Sequence, residues 1–382
     1  MSLSPLVREA AAAASAGARL TLEQGAALLT DAPLGMLGFL ADEARRRHNP
    51  GNLGTFVVDT NLNYTNVCNV LCKFCAFYRL PKSDQAYDLS LDDILGRVEE
   101  LVAMGGTQVL MQGGVNPAYT LERYETLFRA VSERFPSVDI HSLSTAEVEW
   151  VAKKERMTFG EVFGRLKAAG YKSLPGAGAE MLVDRVRKEI SPLRTSRDVW
   201  LEVHRAAHKA GVPSTAPMTY GFGESARETM EHFEVLRTLQ DETGGFTAFI
   251  CWGFQPGGTE LTHLQAPGGE AYLRRVALGR LMLDNFPHVQ AGWVTDGPKL
   301  CQLAMTYGAD DFGGVVLHEE VVRATGVEHT VGPGEAVRLI RGLGRLPAQR
   351  DTYYNVIRTF PEGEEYPVPQ AVASSFPIPI ST

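Results

Sequence analysis

No apolar run in the sequence approaches the ~18 residues that a membrane-spanning helix requires. The opening segment, MSLSPLVREAAAAASAGARL, has no basic region leading into an apolar stretch. Neither a secretory leader nor a membrane anchor is therefore expected, and a cytoplasmic location is. Positive charge is short: 37 Lys and Arg against 45 Asp and Glu leave a net charge of −8 at pH 7. That sign argues against nucleic acid as a partner, since such binding needs a basic footprint. Cysteine is scarce, five in 382 residues, so the chain is not a disulfide scaffold. No short-period repeat appears. What is present is a globular balance, 44% apolar and 21% charged, able to bury a sizeable core in one large domain or two ordinary ones. Gly at 38 and Pro at 21, without periodicity, predict many sharp turns.

Residues 1–50 read as an N-terminal helical segment, broken near Pro33 and Gly35 and closed by the turn cluster HNPGNLG. From about Thr55 short apolar runs alternate with amphipathic stretches. The runs are TFVVDT (55–60), TQVLMQGG (107–114), DIHSLS (139–144), KSLPGAG (172–178), STAPMTYG (214–221), FTAFICWGF (246–254), VQAGWV (289–294) and DDFGGVVL (310–317). Helical stretches such as LDDILGRVEELVAMG and RDVWLEVHRAAHKAG lie between them, several ending in Gly, the expected stop. Strands alternating with helices imply parallel βαβ units. Seven or eight such units over 51–330 fit an α/β fold of the closed (β/α) TIM-barrel type better than a doubly wound sheet. Residues 331–382 form a C-terminal extension ending in the Pro-rich PEGEEYPVPQAVASSFPIPI, expected to be extended, packing or flexible.

Three of the five cysteines fall in NYTNVCNVLCKFCAFYR, where Cys68, Cys72 and Cys75 form a C-x3-C-x2-C array. The array follows the first barrel strand at its carboxyl end, where enzymes of this fold build their sites. Three thiolates can hold three irons of a 4Fe–4S cluster and leave the fourth iron open to a small molecule. A structural zinc would want a second Cys/His pair. The remaining cysteines supply none: Cys251 sits in an apolar strand and Cys301 in an amphipathic helix. Three unrelated buried thiols are the bland alternative.

The array, with Phe74 between its last two cysteines and Phe77-Tyr78 after them, resembles the radical S-adenosylmethionine (SAM) superfamily. The resemblance implies that SAM chelates the open iron, that a reducing electron donor such as flavodoxin or ferredoxin reduces the cluster, and that cleavage of SAM yields a 5′-deoxyadenosyl radical. It also implies that Phe74, Phe77 and Tyr78 lie against the cofactors. Further along, QVLMQGGVNP, IHSLSTAEV, SLPGAGAEMLVDRVRKEISP, RTLQDETGGFTAFICWGFQPGGTEL, AGWVTDGPKLCQLAMTYGADDFGG and HEEVV follow in order the pattern of the dehypoxanthine futalosine cyclase family of menaquinone biosynthesis, over roughly residues 20–330. That likeness implies the small-molecule substrate dehypoxanthine futalosine, hydrogen abstraction from its ribose C4′, and ring closure. SLPGAGAE and FQPGGTEL set the chain apart from aminofutalosine synthase and the deazaflavin (F0) synthase subunits. The chain departs from the family at Phe222, where relatives tend to carry histidine, at Cys251, near an expected proline, and at Asp296, where an amide is usual. An iron–sulfur electron carrier without catalysis is the rival from another class; carriers are small and ligate their clusters fully.

Other candidates sit at strand ends. Gly113 and Gly114 in QGGVNP expose backbone amides that could hold the methionyl groups of SAM, or simply turn the chain. Gly178 and Glu180 in GAGAE lack a phosphate loop's Gly-Lys-Ser/Thr ending. Their reading is close backbone approach to SAM, with Glu180 accepting from a ribose hydroxyl or the ammonium, or capping a helix. His141, Ser142 and Ser144 end the third strand; His141 is either an acid–base group or a satisfied core histidine. Gln255 and Asp296 lie beyond strands six and seven and could face the substrate, with Asp296 the first candidate for the final base and His141 the second. A turn role before Gly297 competes for Asp296. His204 and His208, spaced i, i+4, lack the H-E-x-x-H glutamate and read as solvated or structural.

Overall fold

A computed structural model describes residues 3–367; the Pro-rich end of the sequence, from 368, lies outside the described residues. Three helices open the chain: α1 (Pro5–Ser15), α2 (Leu22–Asp31) and α3 (Leu34–His48). Each start is dictated locally. Ser4 caps α1, Thr21 and Gln24 form a reciprocal capping box on α2, and Pro33 occupies the junction before α3. The break therefore falls at Ala32–Pro33, and Gly35 continues the helix.

The strands are β1 (Leu53–Leu62), β2 (Gln108–Met111), β3 (Asp139–Ser142), β4 (Tyr171–Ser173), β5 (Ser214–Tyr220), β6 (Phe246–Gly253), β7 (His288–Gln290), β8 (Asp311–Val316), β9 (Leu346–Arg350) and β10 (Val356–Thr359). The helices continue with α4 (Leu91–Ala103), α5 (Leu121–Arg134), α6 (Thr145–Glu155), α7 (Phe159–Ala168), α8 (Asp184–Ile190), α9 (Arg197–Lys209), α10 (Ala226–Thr243), α11 (Gly269–Met282), α12 (Pro298–Ala304) and α13 (Pro333–Arg341). Strand order is β4-β3-β2-β1-β8-β7-β6-β5, with parallel pairing throughout this path. Between β4 and β5 a parallel bridge, Leu174 with Ser214, nearly closes the ring. All eight expected strands are present. β7 stops at Gln290 instead of running to Val294, and β4 covers only the first residues of its expected run.

β9 and β10 are additions. β9 pairs in parallel with the amino-terminal half of β1, Leu53 opposite Leu346 through Phe56 opposite Gln349. From there Arg350 reaches across the barrel's amino-terminal end and clasps Asp311 of β8 with two bonds, Nε–Oδ2 at 2.5 Å and Nη2–Oδ1 at 3.0 Å. Thr55 donates to the same carboxylate at 2.6 Å. The floor is thus filled by a polar network, leaving the carboxyl-terminal mouth for chemistry. His204 and His208 share the Ser214 hydroxyl, at 2.8 and 2.7 Å, and pack on Trp200 and Phe246. Their role is structural.

Candidate active site

At the carboxyl ends of the strands lies a cavity of about 250 Å³. Its walls carry Cys68, Cys72 and Cys75 from the loop after β1, the Gly113–Gly114 turn after β2, Glu180 after β4, Gln255 after β6 and Thr295 after β7. The cysteine loop is held in place along its length. The Asn69 amide donates to Val115 at 3.1 Å and the Lys73 amide to Ile190 at 2.9 Å. Arg79 gathers the carbonyls of Ala76, Phe77 and Tyr78 with one guanidinium nitrogen at 2.9, 3.3 and 2.9 Å. Leu71, at φ 53°, makes the left-handed turn that Cys72 needs to face inward.

The sulfurs receive N–H donors. Cys68 Sγ accepts from the amides of Val70 at 3.5 Å and Val115 at 3.3 Å, and Cys72 Sγ from Arg194 Nη1 at 3.4 Å. Burial pushes the Cys72 thiol up to about 12 and raises that of Cys75. A Cβ on Gly114 would lie 2.3 Å from the Val67 carbonyl oxygen, and one on Gly113 would lie 2.4 Å from the Tyr64 ring. The glycines are therefore demanded by packing against the cysteine loop. Gly114 also gives its amide to Thr65, at 2.8 Å.

Glu180, at φ 38°, turns its carboxylate to Arg194, Oε1 to Nη1 at 3.4 Å. The other oxygen, Oε2, and Arg194 Nε are buried without a partner. The guanidinium also stands 5.6 Å over the Phe74 ring. Arg187 sets this pair: it binds the carbonyls of Gly178 at 3.0 Å and Ala179 at 2.7 Å, and that of Thr195 beside Arg194. Gly178 itself does not line the cavity. Its φ of 106° and its closeness to Thr145 and Arg194 make it part of the scaffold.

Phe74, Phe77, Tyr78 and Ser144 also border the cavity. The Ser144 hydroxyl is engaged in capping α6, donating to Glu147 Oε2 at 2.8 Å, while Tyr64 and Tyr124 donate to Glu147 Oε1. Phe222 stacks between Phe74 and Phe254, with centroids at 6.0 and 4.8 Å, joining the cysteine loop to the ends of β5 and β6. Asp296 stands one step behind the wall. Its Oδ2 accepts from Thr295 Oγ1 at 2.7 Å, and burial raises its carboxyl pKa. His141 lies apart from the cavity, with Nδ1 2.6 Å from the Ser173 hydroxyl. Burial and the charge of Arg350 hold its imidazole down to about 3, which keeps it neutral. Cys251 and Cys301 are buried and border no part of the cavity.

Arg79, Arg187, Arg194, Thr295 and the Tyr64–Glu147 pair escaped the sequence reading. Arg194 meets Cys72 across 122 residues of chain, and no local pattern announces such a contact.

Residues 62–236 match the family model of the radical SAM superfamily, and residues 243–363 match that of the CofH/MqnC C-terminal region. The chain is 44% identical to the cyclic dehypoxanthine futalosine synthase of Streptomyces coelicolor, over 94% of this chain and 91% of that one. It belongs to the cyclic dehypoxanthine futalosine synthase family. The Halalkalibacterium halodurans member is 41% identical over 91% of this chain and 94% of its own. The aminodeoxyfutalosine synthase of Thermus thermophilus is more distant, at 37% over 90% and 94%. Among solved structures, the FeFe-hydrogenase maturase HydG superposes with a TM-score of 0.73 at 17% identity, covering 90% of this chain and 76% of that one. Methylornithine synthase (PylB) gives 0.72 at 18%, covering 89% and 97%. These two show the shared barrel.

The residues of this synthase-family chain fit a 4Fe–4S cluster and SAM. Three free thiols border one cavity, the sulfurs of Cys68 and Cys72 already receive N–H donors, and burial disfavours the charged forms of Cys72 and Cys75 unless a metal compensates it. Among the described residues no three His, Cys, Asp or Glu side chains converge on a single metal-ion position. Thiols spread around a cavity suit a cluster, in which each cysteine takes a different iron. The unpartnered Glu180 Oε2 and Arg194 Nε offer an acceptor and a donor to a zwitterionic ligand beside it.

Proposed function

We propose that this chain closes the ring of dehypoxanthine futalosine to the cyclic product in menaquinone biosynthesis, by removing the hydrogen from ribose C4′ and joining that carbon to the aromatic ring. The observation that carries the chemistry is the three-thiol cavity at the barrel mouth, flanked by the half-satisfied Glu180–Arg194 pair. The 44% identity to the Streptomyces coelicolor synthase narrows the substrate.

When bound, the cluster and SAM supply a 5′-deoxyadenosyl radical. The chain's own residues hold, orient and shield. Cys68, Cys72 and Cys75 are the cluster ligands. Val70, Phe74, Val115 and Ala146 pack around the loop and keep water from it. Glu180 accepts from the SAM ammonium or a ribose hydroxyl, and Arg194 donates to the carboxylate. Phe77, Tyr78, Gly113, Gly114 and Ser144 complete the SAM-side wall, with Gly178 shaping the turn behind Glu180. Gln255, at the opposite rim, contacts the substrate. Asp296 holds the proton that the ring loses on closure. His141, bonded to Ser173 in the barrel interior, stabilises the fold.

A small low-potential carrier such as flavodoxin or ferredoxin delivers the electron. Cys75 borders an outer groove beside exposed Leu80 as well as the cavity, which gives a carrier a route of approach.

The test is anaerobic turnover of the reconstituted chain with SAM, a reductant and dehypoxanthine futalosine. Cyclic product together with free 5′-deoxyadenosine is expected. A product that incorporates adenosine would place the chain with the aminodeoxyfutalosine synthases.

A further inference from the structure

We infer that Thr295, Asp296 and His329 form a proton path from the cavity to solvent, taking up the ring proton released on closure. The inference rests on the proposed cyclisation. Thr295 borders the cavity, and its hydroxyl donates to Asp296 Oδ2 at 2.7 Å. A hydroxyl in that position can accept a proton from one side as it gives its own to the other. Asp296 lies behind the wall and does not touch the cavity, so a group bridging the two is required, and Thr295 is in place to be that bridge.

On the far side of Asp296 the chain turns at Gly297, with φ 85°. An atom at its Cβ position would stand 3.3 Å from His329 Cε1 and 3.4 Å from Nε2. The imidazole thus stands beside Gly297, the residue after Asp296, and its charge acts on the Asp296 carboxylate. His329 is exposed. In chain and space the order is cavity wall, half-buried carboxylate, and an exposed imidazole beside the glycine that follows Asp296.

In the step itself the C–H bond at the attacked ring carbon breaks and its electron pair stays in the ring. The proton passes to Thr295 Oγ1 while the hydroxyl proton of Thr295 passes to Asp296 Oδ2. Asp296 hands its proton to His329, which releases it to water. The unpaired electron that remains leaves separately, to a one-electron acceptor of the iron–sulfur class that the reaction itself supplies.

The other titratable groups that feel the Asp296 charge are Tyr220 on β5, Cys251 on β6, Tyr272 on α11 and Cys301 on α12, all raised by burial and neutral across the working range. Arg275 covers the Tyr220 ring and pairs with Glu224. Glu328 flanks His329 in the chain, and Lys299 is the nearest lysine in sequence to Gly297.

Two measurements test the path. In the cluster-free chain, the imidazole carbon-bound proton signals of His329 are recorded by NMR at a single pH with and without Asp296→Asn. A displacement of those signals on loss of the carboxylate is expected, and unchanged signals overturn the path. In the reconstituted enzyme, Thr295→Val and His329→Gln are expected to lower cyclic product per 5′-deoxyadenosine about tenfold or more, below the usual range for a positioned acid–base group because water partly substitutes. Added imidazole is expected to restore His329→Gln, increasingly as pH rises and the free base predominates. A parent enzyme that cyclises with both variants matching its ratio overturns the path alone. A parent that forms 5′-deoxyadenosine without cyclic product overturns the proposed function, and the path with it.

Discussion

Replacing Arg194 by methionine keeps most of the side chain's volume and removes its charge. Glu180 then loses its one guanidinium partner among the described residues, while its second oxygen already has none. Both side chains are close to buried, 14% and 10% exposed, so solvent screens little of the loss. Removing one member of a buried ion pair costs about 3–5 kcal/mol. The 3.4 Å single contact places this pair at the lower end, about 3 kcal/mol. Unfolding entropy of about 2 cal/mol/K per residue converts that to a fall of roughly 4 °C in Tm for a chain of this size.

Glu180→Gln is expected to cost a similar amount, since it strands Arg194 beside Cys72. The double variant should cost less than the sum by about 2 kcal/mol, because neither charge is then left alone. Thermal and urea unfolding of the reduced, cluster-free chain reads all four corners of the cycle. Costs that add to within about 0.5 kcal/mol would show that the two groups do not interact, and would refute the pairing on which the SAM-side wall is built. With the cluster in place, Glu180→Gln should weaken SAM binding about ten- to a hundredfold, the value of one charge-assisted hydrogen bond.

Cys68→Ala, Cys72→Ala and Cys75→Ala should each abolish SAM cleavage and leave a folded chain, whereas Cys251→Ser and Cys301→Ser should keep a 4Fe–4S spectrum; loss of the spectrum in either serine variant would break the three-cysteine assignment. Asp59, with Oδ1 buried and unpartnered and its carboxyl pushed up to about 7, binds its proton more tightly folded than unfolded. Its contribution is present in acid and lost as pH rises towards 7, so Asp59→Asn should be more stable than the parent at pH 8 and show no such gain at pH 4, read as Tm. His141 titrates near 3 when folded and near 6.5 when unfolded, so its contribution is intact above 6.5 and declines as pH falls. At pH 5 the decline is about 2 kcal/mol, and His141→Gln should flatten the acid limb of the stability curve by that amount.

What the sequence disclosed follows from the range of the interactions involved. The eight barrel strands are short apolar runs separated by amphipathic helices, a periodicity carried within each segment, and the cysteine array is compact enough to read as one unit. β9 was hidden by Pro347, which ordinarily argues against a strand interior and here sits near its start, where its carbonyl accepts from Phe360 at 2.9 Å. Arg194 and Arg187 take their meaning from carbonyls, a carboxylate and a sulfur brought together only by closure of the barrel. Gly113 and Gly114 were legible as a turn beside the cofactor, but the reason for two glycines, the approach of Tyr64 and Val67, is a packing fact. His141, at a strand end, read equally as an acid–base group or a satisfied core histidine; the partner it bonds, Ser173, lies on the next strand around.

The clasp of Arg350 on Asp311, with β9 laid along β1, has a consequence for how the molecule is made. A ribosome delivers β1 nearly three hundred residues before the strand that completes its edge. Until then Asp311 lacks Arg350, and the amino-terminal half of β1 is flanked by β8 alone. Loop closure over such a separation is slow compared with local helix formation. A nascent chain stalled before residue 346 would therefore carry its cysteine loop on a barrel whose floor still lacks β9 and the Arg350 clasp on Asp311.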